Sequence, residues 1–127
     1  MTNQELIDRL SQLPEEISSE SHHLVKLTIS LQEKNTAFKQ SEMEIKLEIA
    51  EEVDSNGKKA YSNAESREAA LIERIKTNEN MVELQHEIKQ VEVLIQTVKV
   101  VIEQLSNEQR NIRSIMQFIA SGSLAEI

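Results

Sequence analysis

Apolar residues recur at alternating spacings of three and four along the second half of the chain. Two interleaved series, each with a period of seven residues, run from position 81 to position 119, and Gln109 is the one interruption. A repeat of about 3.5 residues keeps one stripe of a helix facing a partner helix. The pattern therefore predicts a coiled-coil seam that serves both packing and oligomerisation. Its residues are Met81, Leu84, Ile88, Val91, Ile95, Val98, Ile102, Leu105, Ile112, Met116 and Ile119.

Two further patterns refine this picture. A third apolar position, occupied by Leu94, Val101 and Ile115, flanks the seam and still needs cover, which favours a bundle of several helices. In the first half of the chain one heptad position is apolar throughout, at Leu10, Ile17, Leu24, Leu31, Phe38 and Ile45. Its companion position is largely polar after Leu27, so this second seam is the weaker one.

Capping and stop signals divide the first half of the chain. Thr2 with Glu5 forms a capping box that starts a short helix over 3–12. Proline clashes with the carbonyl four residues back in a helix interior but fits a first turn. We therefore predict a kink or break at 11–14 and a second helix over 14–53. Gly57 suits the left-handed conformation that closes a helix, so residues 54–62 are predicted as a turn.

The last helix is predicted over 63–120. Ser62 with Glu65 makes a second capping box, and Asn63 is an alternative cap. Leu71 and Ile75 are one residue out of phase with the later heptads, which predicts a local change of supercoil near 77–81.

These elements define the predicted fold. A turn of about nine residues between long helices favours antiparallel neighbours. The fold class is therefore all-α: a single elongated helical domain over 1–127, built as a long antiparallel coiled-coil hairpin with a short N-terminal helix. We expect the N-terminal helix to lie against the last turns of the final helix. We also expect the chain to assemble with itself into a multi-helix bundle, as a dimer.

Charge and composition narrow the classes of partner. The formal net charge is −8, which disfavours nucleic acid and anionic membrane as direct partners. The chain has no cysteine, so thiol chemistry is excluded. No apolar run approaches the roughly 20 residues of a membrane span, and the N-terminal residues do not resemble a signal peptide. We expect a cytoplasmic protein, in the host cytoplasm if a phage encodes it.

Candidate chemistry is sparse. His22 and His23 are adjacent and point about 100° apart on a helix, so one chain cannot place both on one ion. His86 has no second histidine four residues later, as a zinc-protease motif requires. The sequence has no glycine-rich phosphate loop. We therefore expect neither an enzyme nor a metal or cofactor.

The turn and the start of the last helix carry a group of basic residues with one tyrosine. Lys58, Lys59, Tyr61, Arg67 and Arg74 are a candidate partner-binding tip. The alternative, which we prefer, is that these cations pair with the acidic run over 48–54 of the same hairpin. Aromatic residues that would stack on bases are missing apart from the tyrosine.

The most distinctive local sequence, GKKAYSNAESREAAL over residues 57–71, carries a resemblance. It resembles a stretch of small coiled-coil proteins from phages and prophages of Gram-positive bacteria. That resemblance implies a setting near phage replication and recombination genes, and it implies no particular reaction.

Three functions are compatible with this reading. The leading hypothesis is a non-enzymatic, oligomeric coiled-coil protein that binds another, unidentified protein, as a phage accessory factor in DNA replication, recombination or host modulation. The first alternative is a nucleic-acid-associated accessory protein or a DNA mimic. The second alternative is a phage structural or assembly scaffold.

Overall fold

The protein is described by a computed structural model covering residues 1–122, so the last five residues of the predicted domain lie outside the described residues. It contains three α-helices: α1 (Asn3–Glu51), α2 (Ala64–Thr77) and α3 (Glu79–Ala120). An isolated antiparallel bridge joins Val53 to Lys59, and residues 1–122 form no strand. The predicted all-α fold class is confirmed.

Contacts within the chain separate two compact units. Unit 1 combines Met1–Thr28 with the described residues from Val93 onward, and unit 2 consists of Ile29–Glu92. Unit 1 therefore holds the first part of α1 and most of α3. Unit 2 holds the rest of α1, the turn, α2 and the start of α3.

Of the predicted kink or break at 11–14, the break is wrong. α1 continues from Asn3 to Glu51 with Pro14 inside it, so the predicted helices over 3–12 and 14–53 are a single helix. Contacts on both sides of the proline explain the difference. Leu13 is fully buried, with 0% of its surface exposed, and Arg9 pairs with Glu16 across Pro14 at 2.5 Å. Burial of the preceding turn holds the helix through a residue that costs about 3 kcal/mol in a helix interior.

The start of α1 follows its local sequence. The backbone N–H of Glu5 donates to the Thr2 hydroxyl at 3.1 Å, and the Thr2 N–H donates to the Glu5 carboxylate at 3.3 Å. The two hydrogen bonds satisfy donors that the first turn leaves without an intrahelical partner. The predicted capping box is confirmed.

The core of unit 1 joins the N-terminal turns of α1 to the C-terminal turns of α3. Leu6 and Leu13 from α1 are buried with Ile112 from α3. Leu10, Leu105, Met116 and Ile119 pack against them. The N-terminal segment therefore lies against the last turns of the final helix, as expected, although it belongs to α1 and is not a separate helix.

The predicted helix over 63–120 is interrupted by one residue. Asn78 adopts an extended conformation (φ −85°, ψ 108°) between α2 and α3. Its backbone N–H donates to the Ile75 carbonyl at 3.2 Å, and its side-chain Oδ1 accepts from the Met81 N–H at 3.1 Å. Asn78 thus ends α2 and caps α3. The interruption falls where the apolar series shifts by one residue, since Leu71 and Ile75 each lie one residue after the positions that the later heptads extrapolate to.

The start of α2 follows the alternative cap. Asn63 is extended (φ −126°, ψ 166°), and its side chain accepts from the Ser66 N–H at 2.7 Å. The Ser66 hydroxyl accepts weakly from the Asn63 N–H at 3.4 Å, which completes the box. The predicted box of Ser62 with Glu65 is wrong, because α2 begins one residue later.

The core of unit 2 joins α1 to α2 and to the first turn of α3. Ile45 and Ile49 from α1 are buried with Leu71 and Met81. Phe38, Tyr61, Ala70 and Ile75 pack against this cluster. Lys34 pairs with Glu87 at 3.2 Å, and Glu52, near the turn, pairs with Arg74. The order of these partners shows that α1 runs antiparallel to α2 and α3 within unit 2, which is a helical hairpin.

The seam predicted from the heptads faces inward. None of its eleven residues is exposed, and Met81, Val91, Ile95, Val98 and Ile112 are buried. The flanking third position differs, because Leu94 and Ile115 keep 48% and 42% of their surface exposed. Two helices close the seam but leave this flank accessible.

Candidate partner-binding site in unit 2

The turn that reverses the chain in unit 2 is built around Asp54. Its carboxylate accepts from the backbone N–H groups of Asn56 at 2.8 Å and Lys58 at 3.0 Å. Its backbone N–H donates to the Lys58 carbonyl at 2.6 Å, and Gly57 donates to the Asp54 carbonyl at 3.0 Å. Gly57 has φ +78°, the left-handed conformation that glycine adopts without steric cost. The turn is therefore fixed by its own short-range hydrogen bonds.

Tyr61 and Arg74 meet beside this turn. The Arg74 guanidinium carbon lies 5.8 Å from the centroid of the Tyr61 ring, within the range of a cation–π contact. Tyr61 also packs against the core of unit 2, and its ring is half-buried. The arrangement holds the ring against the hairpin, with the arginine above it. The main role of Tyr61 is therefore packing within unit 2.

Arg74 is also paired with an acid. Its guanidinium donates to the carboxylate of Glu52, which lies within the acidic run. This hydrogen bond is the main reason that the pKa of Arg74 is raised above its ordinary value. The preferred pairing of the basic residues with the acidic run therefore holds for Arg74.

Arg67 has a different environment. It lines a cleft of about 290 Å³ between α1 and α2, together with Lys46, Ile49, Ala50, Ala64, Glu68 and Leu71. Four of the seven lining residues are apolar and three are charged. Lys46 pairs with Glu42 at 3.2 Å, whereas Arg67 makes no ion pair within residues 1–122. Arg67 is therefore a half-buried cation beside an apolar cleft with no acid bound to it.

Lys58 and Lys59 are both exposed, and their side chains make no ion pair in the part of the chain that the structure describes. Backbone contacts hold the two residues in place, through the Asp54 carboxylate and the bridge between Val53 and Lys59. Their ammonium groups are thus presented to solvent on a fixed backbone.

The five predicted tip residues therefore do not form one patch with one role. Tyr61 and Arg74 form a structural pair, Arg67 borders the cleft, and Lys58 and Lys59 stand free on the turn. Sequence reasoning missed the residues that give the cleft its apolar lining, such as Ile49 and Ala64. The four-residue spacing of Ile45 and Ile49 was the available signal for the former.

His22 and His86 make contacts within their own helices. The Nδ1 atom of His22 lies 2.8 Å from the Ser18 carbonyl oxygen, and His86 Nε2 lies 3.1 Å from the Gln90 amide nitrogen. Among residues 1–122 no three histidine, cysteine or acidic side chains are grouped as a metal ion would need. No helix in this part of the chain has the length and apolar character to cross a membrane.

No protein family, curated protein or solved structure matches the chain in comparisons of sequence and structure.

Proposed function

We propose that this protein is a non-enzymatic, oligomeric adaptor that binds another protein through the turn and cleft of unit 2. Its setting would be that of a phage accessory factor, acting in DNA replication, recombination or the modulation of a host protein. The observation that carries the proposal is Arg67, an arginine without an acid partner beside an apolar cleft.

The chemistry of the cleft indicates what the partner would present. Interfaces derive most of their binding free energy from a few anchor side chains in desolvated pockets, among which arginine, tyrosine and tryptophan are prominent. The apolar lining residues Ile49, Ala50 and Leu71 suit an apolar side chain, and Arg67 in the same lining suits a carboxylate or a backbone carbonyl. A short apolar segment that carries an acid is the partner chemistry that fits both.

Tyr61 gives less support to the nucleic-acid alternative. A base would need an accessible aromatic face, whereas the half-buried Tyr61 packs against the core of unit 2 and its ring already receives Arg74. The free ammonium groups of Lys58 and Lys59 remain as electrostatic contacts, which an acidic protein surface can use equally well.

The test is an affinity pull-down from a Gram-positive host lysate, with and without nuclease, comparing the wild-type chain with an Arg67→Glu variant. Arg113→Glu is the matched control, because Arg113 is exposed, makes no ion pair within residues 1–122 and lies in unit 1. We expect a protein that resists nuclease treatment, is lost with Arg67→Glu and is kept with Arg113→Glu. Equal retention by both variants would refute a role for the cleft. Material lost on nuclease treatment would favour the nucleic-acid alternative, and growth into large assemblies with no captured protein would favour the scaffold.

A further inference from the structure

Unit 1 carries an uncovered apolar stripe on α3 that the packing of α1 does not use. Val93 and Val100 keep 65% and 51% of their surface exposed, and Leu94 is exposed beside them. Val101 is half-buried, and Thr97 lies between the two pairs. The five residues occupy a little more than two helical turns, and none of them is charged.

The apolar residues of the stripe are placed symmetrically about Thr97 along the helix. Leu94 and Val100 lie three residues from Thr97 on opposite sides, and Val93 and Val101 lie four residues away. At about 100° per residue, Leu94 and Val101 share one flank of Thr97, and Val93 and Val100 share the other. A two-fold axis that pairs α3 with α3 in opposite directions brings like flanks together. It sets Leu94 beside Val101 and Val93 beside Val100, each contact occurring twice.

Thr97, at the centre of the stripe, can be buried in such a contact without losing a hydrogen bond. The Thr97 hydroxyl donates to the Val93 carbonyl of its own helix at 2.9 Å. Its polar atom is therefore satisfied within the helix, and its methyl group is the part left for a neighbour. Burial of Thr97 against a second Thr97 leaves no hydroxyl without a hydrogen-bond partner, so it avoids the cost of an unsatisfied polar group.

The absence of charge on the stripe also favours contact with a second copy of the chain. A chain with a net charge of −8 repels its own copies, so a surface used for self-association must avoid placing like charges together. The stripe meets this requirement, since Lys99 points to the far side of the helix from Thr97 and Glu103 lies about 120° away.

From this self-complementarity we infer that the stripe Val93, Leu94, Thr97, Val100 and Val101 is the site at which a second copy of the chain docks, antiparallel and centred on Thr97. The inference deepens the oligomer of the proposed function and rests on it. The stripe has five residues, fewer than the roughly 20–30 that each partner contributes to a standard stable interface. The dimer is therefore reversible and depends on protein concentration.

Disulfide trapping tests the register, because the chain contains no cysteine. The Leu94→Cys and Val101→Cys chains are mixed in equal amounts and oxidised with a glutathione redox buffer, which accepts the electrons of the two thiols. We expect the mixed disulfide to exceed each homodisulfide by at least about fivefold, since only close pairs can be bridged. Val25→Cys is the matched control, because Val25 is 57% exposed on α1 in the same unit.

Two results would overturn the inference. Trapping no faster than with Val25→Cys would show that the stripe is not an interface. Dominant homodisulfides would show a parallel pair. Folding of each variant is checked by circular dichroism, and neither substitution changes a buried core residue.

Charge exchange gives a second readout that needs no covalent bond. In the antiparallel register the Leu94→Lys/Val101→Glu chain places opposite charges together, whereas the Leu94→Glu/Val101→Glu chain places like charges together. We expect sedimentation equilibrium to give a dimer dissociation constant at least about tenfold larger for the second chain than for the first. Equal constants would refute the register. Neither chain alters unit 2, so a failure here leaves the Arg67 pull-down interpretable, and a failed pull-down leaves this measurement interpretable.

Discussion

Replacement of Pro14 by alanine distinguishes the continuous helix from the broken one that the sequence predicts. Pro14 lies eleven residues after Asn3, the first residue of α1, and thirty-seven before Glu51, the last one. In that interior position proline leaves the Leu10 carbonyl without its intrahelical partner and costs about 3 kcal/mol relative to alanine. At the first turn of a new helix, proline would cost almost nothing.

The expected gain can be worked out from the site. Pro14 is exposed, so Pro14→Ala opens no cavity and removes no core contact. The restored hydrogen bond and relieved clash contribute about 3 kcal/mol, and the freer unfolded chain takes back about 0.4–1 kcal/mol. We therefore expect the free energy of unfolding to rise by about 2 kcal/mol. For a chain of this length that corresponds to a Tm increase of about 6–10 °C.

The assay is urea and thermal unfolding followed by far-ultraviolet circular dichroism at matched protein concentration, because self-association would make Tm depend on concentration. Ser19→Ala is the control, since Ser19 is exposed in the same helix and its replacement gains about 0.5 kcal/mol from helix propensity. An unchanged or reduced stability of Pro14→Ala would refute the reasoning and place Pro14 at a helix start.

Three further predictions follow from single contacts. Ile95→Asp places an unpaired charge where 7% of the side chain is exposed, so we expect a loss of several kcal/mol and a collapse of helical signal, and an unchanged melting curve would contradict the packing. Asn78→Ala removes the acceptor for the Met81 N–H and should cost about 1 kcal/mol in urea unfolding, whereas no loss would mean that Asn78 is not a cap. The hydrogen bond from Arg9 lowers the pKa of Glu108, so its stabilising effect is present above the unfolded pKa and is lost as pH falls through the folded value. Glu108→Gln should therefore flatten the decline of the urea midpoint below about pH 4.5, and an identical pH profile would exclude the pair as its source.

The predictions that succeeded rest on signals within one or two helical turns. The heptads of the last helix place eleven side chains on one stripe, and none of them is exposed. The Thr2 cap and the left-handed Gly57 are likewise fixed by their immediate neighbours. Such signals survive folding because the backbone geometry that they require is local.

The sequence by itself therefore determined the all-α class, the turn at Gly57 and the buried seam. Only the tertiary structure decided whether α1 passes through Pro14, because that depends on the burial of Leu13 against distant residues of α3. It likewise separated Arg74, which finds an acid partner and a ring, from Arg67, which borders the cleft unpaired. The two arginines differ in their partners because the residues around them come from segments that are distant in the sequence. No local sequence pattern specifies which distant segment packs against a given side chain.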